Sequence, residues 1–103
     1  MLMEYNKLVR DNILNIIENK GEKAITHIAE DKEYEEALTR KLHEEVGEFL
    51  ENPCVEEAAD ILEVLHAICA LKGVSLQTLE EVRQKKAEER GSFKNRIILD
   101  RTE

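Results

Sequence analysis

Two stretches of this chain repeat apolar residues at helical spacing, and both repeats are interrupted by carboxylates. In Leu38–Phe49 the apolar stripe is Leu38, Leu42, Val46 and Phe49, with Glu45 inside its edge and Glu48 beside it. In Glu57–Ile68 the stripe is Ile61, Val64, Leu65 and Ile68, with Glu57 inside and Asp60 beside it. Residues three, four, seven or eleven apart share a helical face, so Glu45 and Glu57 point toward the side that must be buried. An i, i+3 step turns the helix so that Glu48 and Asp60 fall about 60° farther round. Desolvating a carboxylate without a partner is costly, which makes these acids the strongest constraint on what the chain forms.

Turn and cap signals divide the chain into four helices. Tyr5–Arg10 reads as extended, with Asp11 capping a short helix that carries Ile13, Ile16 and Ile17 and stops at Gly21. Lys23–Glu30 reads either as a short strand or as a connector. Asp31 caps a second helix running to about Glu51, and Asn52-Pro53 supplies the cap and first-turn proline of a third that ends before Gly73. Ser75 caps a fourth helix reaching Arg90, Gly91 closes it, and Phe93–Leu99 is extended. The expected fold is all-α: a four-helix bundle with short extended N- and C-terminal segments. The short turn makes the second and third helices antiparallel, which brings their acid pairs to one end.

Composition sets the outer bounds. The 103 residues suffice for one domain, residues 1–103, and a domain this small leaves enough apolar surface for oligomerisation to bury more. A formal net charge of −8 argues against a general nucleic-acid binder. Without an apolar run of about 20 residues or a secretory signal pattern, no membrane role and a reducing, cytoplasmic setting are expected. Cys54 and Cys69 form neither a zinc pattern nor a disulfide framework.

Four acidic oxygen donors converging from two helices suit a hard divalent cation. Glu-rich helices also present plain solvated faces, and Glu33, Glu35, Glu36, Glu80, Glu81, Glu88 and Glu89 read that way. The pattern alone leaves both readings open for the four named acids. On the fourth helix, Lys86 and Arg90 continue the stripe of Leu79 and Val82, so they read either as last-turn cations favoured by the helix dipole or as a phosphate clamp. Lys7, Arg10 and Asp11 form a second charged cluster. The glycines are isolated, so there is no glycine-rich phosphate loop, and His27, His43 and His66 lack metal-ligand spacing.

Lys41-x-x-Glu44-Glu45-x-x-Glu48 followed by Glu57-x-x-Asp60 resembles the signature of the all-α nucleoside triphosphate pyrophosphohydrolases, which include the MazG-type enzymes. The segments Tyr5–Asp11 and Arg90–Leu99 look like a phosphoribosyl-ATP pyrophosphohydrolase-like branch of that superfamily. The resemblance implies a MazG-like bundle, homodimeric or a dimer of dimers, that binds Mg²⁺ (or Mn²⁺) through Glu45, Glu48, Glu57 and Asp60. It implies cleavage of the α–β phosphoanhydride of a nucleotide, with Glu44 orienting or deprotonating the attacking water and Glu45 holding the metal. Lys86 and Arg90 would bind phosphate together with Lys7 and Arg10, and Phe93 or Tyr5 would stack on a base. Eight residues separate Glu48 from Glu57, a shorter turn than in many MazG-type members, which trims the loop that often encloses the base. Nucleotide-pool housekeeping is the expected role. The alternatives are the phosphoribosyl-ATP step of histidine biosynthesis and a non-catalytic acidic helical module.

Overall fold

A computed structural model describes residues 5–103. Within them lie four helices, α1 (Ile13–Asn19), α2 (Asp31–Glu51), α3 (Val55–Leu71) and α4 (Leu76–Arg90), and no strand. Lys23–Glu30, which the sequence left between strand and connector, is a connector.

The centre of the molecule is the α2–α3 hairpin. Glu35 on the first turns of α2 meets Lys72 at the end of α3, at 2.8 Å, while Glu45 meets Glu57 and Asp60 nearer the turn. The helices are therefore antiparallel, as the short connection requires. That connection differs in detail from expectation. Asn52 is the C-cap of α2, its N–H donating to the Glu48 carbonyl, and Cys54 is the N-cap of α3, so Pro53 precedes the helix instead of occupying its first turn. The proline ring disfavours helical backbone at the residue before it, and Asn52 accordingly has φ −143° and ends α2.

The other helix ends follow local chemistry. The Ser75 hydroxyl accepts from the Thr78 N–H at 3.1 Å and caps α4. Gly73, at φ +79°, closes α3: its N–H donates to the Ala70 carbonyl and that of Val74 to Cys69, a pairing that needs a left-handed residue between them. At α1 and α2 the caps lie one residue from the expected ones, at Asn12 and Glu30, and neither side chain makes a capping bond. Asp31 instead lies in the first turn of α2, where its charge still faces the positive end of the helix dipole.

The expected four-helix bundle is not formed by one chain. Helix α1 packs on no other helix, and α4 leans only on α3. The apolar stripe of α4 is Leu76, Leu79 and Val82, and beyond Val82 it continues as Lys86 and Arg90. Charged groups have no reason to leave water, so nothing holds the second half of α4 down. After Gly91 a tight turn, closed by the Arg96 N–H on the Phe93 carbonyl, interrupts the expected extended tail. Phe93, Ile97, Ile98 and Leu99 are all at least 77 % exposed.

The resulting core is thin. Among the described residues only Ala37, Leu38 and Val64 are buried apolar side chains. The radius of gyration is 18.3 Å, against about 13 Å for a compact chain of this length. Leu50, Val55 and Leu62, near the hairpin turn, are half or more exposed. No helix of the described residues is long and apolar enough to cross a membrane.

Candidate metal centre

The fourth buried side chain is charged. Glu45 is 6 % exposed, in the same stripe as buried Leu38 and half-buried Leu42 and Phe49, as the helical spacing predicted. From α3, half-buried Glu57 and Asp60 face it, and one carboxylate oxygen of each of the three residues lies within 4.8 Å of the others. On these same carboxylates, Glu45 Oε2 and Glu57 Oε2 are buried without a hydrogen-bond partner. A buried carboxylate oxygen with no donor is a costly arrangement that a hard cation would relieve.

Electrostatics around Glu45 point the same way. Burial is the largest influence and raises its carboxyl above the ordinary 4.5; hydrogen bonding and charge repulsion from Glu48 raise it further. Lys41 opposes them, its ammonium 3.4 Å from Glu45 Oε1 and one helical turn away. A single half-buried ammonium thus faces a cluster of acids.

Of the four expected ligands, three converge. Glu48 acts on Glu45 but stands outside the triad, exposed on α2, although Asp60, at the same i, i+3 step on α3, lies within it. Glu44 is also exposed and lies between two ammonium groups, 3.8 Å from Lys7 and 3.8 Å from Lys41. The N-terminal pair comes to the site: besides Lys7 on Glu44, the Arg10 guanidinium is 2.6 Å from Asp60 Oδ1. The C-terminal candidates do not. Lys86 and Arg90 are exposed and pair with none of these acids, and Phe93, 98 % exposed, lies outside the cluster. The ring of Tyr5 lies 5.9 Å from the Lys7 ammonium, so it is the aromatic residue nearer the charged groups.

Lys41 is the functional candidate that sequence reasoning left without a role. Its position three and four residues before Glu44 and Glu45 is the signal, since those spacings put a lysine beside both carboxylates. The broad surface concavities lie elsewhere, around His27, Glu33 and Glu36 and along Ile97–Glu103, both of them open. No protein-family model, curated protein or solved structure matches this chain.

Proposed function

We propose that the chain is a Mg²⁺-dependent nucleotide pyrophosphohydrolase that cleaves an α–β phosphoanhydride to a nucleoside monophosphate and pyrophosphate. The observation that carries this reading is the triad of Glu45, Glu57 and Asp60 with two buried oxygens lacking a donor. The acidic pattern that resembles the MazG-type enzymes supplies the reaction class. Glu45, Glu57 and Asp60 would hold the ion, and Glu48 would join through its remaining freedom on the exposed flank. A Mg²⁺ ion (or Mn²⁺) contributes neutralisation of phosphate oxygens and a more acidic water.

The protein groups have separable tasks. Glu44, solvent-exposed and steadied by Lys7 and Lys41, accepts the proton of the attacking water. Water oxygen forms the new bond to phosphorus, the bridging P–O bond breaks, and pyrophosphate leaves with that electron pair. Lys41 stays beside Glu45 and limits repulsion among the carboxylates. Lys7 and Arg10 present positive charge on the solvent side, where a polyphosphate arrives. The thin core of the single chain and its exposed apolar helix faces support a homodimer or a dimer of dimers as the working form.

Pyrophosphate release from a panel of standard and modified nucleotides, with Mg²⁺ and with Mn²⁺, tests the reading. Turnover on at least one nucleotide, lost in Asp60→Asn with helical circular dichroism retained, is the expected result. No turnover on any of them would return the chain to a non-catalytic acidic module.

A further inference from the structure

The N-terminal segment joins the two helices of the acidic site through its side chains. Lys7 reaches Glu44 on α2 at 3.8 Å and Arg10 reaches Asp60 on α3 at 2.6 Å. Both cations are about half exposed, at 45 % and 57 %, whereas Lys41 is 20 % exposed and faces inward. The Arg10 carbonyl accepts from the Ile13 N–H at 3.0 Å, which anchors its backbone at the start of α1. Its guanidinium can therefore leave Asp60 by side-chain rotation alone.

Charge arithmetic then limits what the site can bind. Four carboxylates at the site (Glu44, Glu45, Glu57 and Asp60), with Glu48 beside Glu45 on the exposed flank, outnumber the three cations (Lys7, Arg10 and Lys41) by two negative charges. One divalent cation cancels that remainder. A phosphate that follows meets a neutral site and gains attraction only if cations turn from their carboxylates to its oxygens. Of the three, Lys7 and Arg10 are on the solvent side and free to turn, and a guanidinium matches phosphate geometry well.

We infer that Lys7 and Arg10 are exchangeable counter-cations. They hold Glu44 and Asp60 while no divalent ion is present, and pass to the phosphate oxygens of the substrate once the ion has arrived. The inference deepens the divalent-site reading and rests on it. Arg10 then has opposite effects on the two ligands: it competes electrostatically with the metal and supports the anion. A guanidinium that merely propped Asp60 in place would favour metal binding, because removing a group that orients a ligand weakens the metal.

The test is a pair of titrations on wild type, Arg10→Ala, Arg10→Lys and Glu45→Gln: Mn²⁺ alone, then orthophosphate at saturating Mg²⁺. Circular dichroism checks that each variant is folded. Arg10→Ala is expected to bind Mn²⁺ about tenfold tighter, the gain from removing one solvent-screened positive charge that sits on the proposed ligand Asp60. It is expected to bind orthophosphate about tenfold more weakly, the loss of one charge-assisted contact. Arg10→Lys should restore most of both. Weaker or unchanged Mn²⁺ binding in Arg10→Ala, or unchanged orthophosphate binding, overturns the exchange while leaving the divalent site standing. Failure of wild type to bind Mn²⁺, or equal binding by Glu45→Gln, overturns the site itself and the exchange with it.

Discussion

Replacing Glu45 by Gln should make the metal-free protein more stable and the metal-loaded protein less so. Glu45 has one oxygen within 4.8 Å of oxygens on both Glu57 and Asp60, and its single close cation is Lys41 at 3.4 Å. Each like-charge pair, no farther apart than 4.8 Å, costs at least about 0.9 kcal/mol in a water-like dielectric and about 3.5 kcal/mol at an effective dielectric of 20. The Lys41 contact returns about 1.2 or 4.9 kcal/mol in the same two limits. Two such repulsions against one attraction leave a net cost of roughly 0.5–2 kcal/mol for the charge, and burial and the Glu48 repulsion act in the same direction. The amide of Gln keeps the shape, removes the charge and can donate to the orphaned Glu57 Oε2. The variant should therefore gain about 1–2 kcal/mol in chelator, read as a rise in Tm of about 4–8 °C per kcal/mol for a domain of this size.

With Mg²⁺ at a hundred times its Kd, wild type gains about 2.7 kcal/mol by mass action and the variant gains little. The two melting curves exchange order between chelator and Mg²⁺. Scanning calorimetry at one fixed protein concentration reads this directly, the concentration being fixed because self-association also moves Tm. A variant that melts lower than wild type in chelator would show that the Lys41–Glu45 ion pair outweighs the repulsion. Equal Mg²⁺ stabilisation of both proteins would show that Glu45 is not a ligand.

Two further outcomes follow from the same groups. The Glu45 carboxyl is held above 4.5, first by burial and then by Glu48, so the folded state binds more protons than the unfolded state over a window opening at 4.5. Stability of the metal-free protein contributed by this group is present below that window and is lost as pH rises through it. The decline should be shallower in Glu45→Gln, and equal pH slopes of ΔG in chelator would contradict the assignment. Separately, light scattering in solution should give a mass at least twice 11.9 kDa, because among the described residues one chain buries only Leu38 and Val64 of its large apolar side chains and leaves eleven at least half exposed; a stable monomer would contradict this account of the thin core.

The hairpin was legible because its signals are local and redundant. Leu38, Leu42, Val46 and Phe49 set the buried face of α2, and Pro53 fixed where it stops. The same register placed Glu45 inside that face, and the short turn brought Glu57 and Asp60 opposite it. The equal 60° offsets of Glu48 and Asp60 did not reveal that only Asp60 joins the triad, half-buried, while Glu48 stays exposed on α2. The approach of Arg10 to Asp60 spans fifty residues and crosses an irregular segment, so no periodicity could reveal it. Lys86 and Arg90 do not lean toward the hairpin, contrary to what their register suggested. Their spacing continued an apolar stripe, but a stripe completed by charges does not bind α4 to the hairpin, and both stay in water.

The central claim is that Glu45, Glu57 and Asp60 hold a divalent cation. Anomalous diffraction from crystals grown with Mn²⁺ tests it most directly. The account predicts a peak between these three side chains, bonded to Glu45 Oε2 or Glu57 Oε2. A Mn²⁺ peak elsewhere on the molecule, with both oxygens still unbonded, would contradict it.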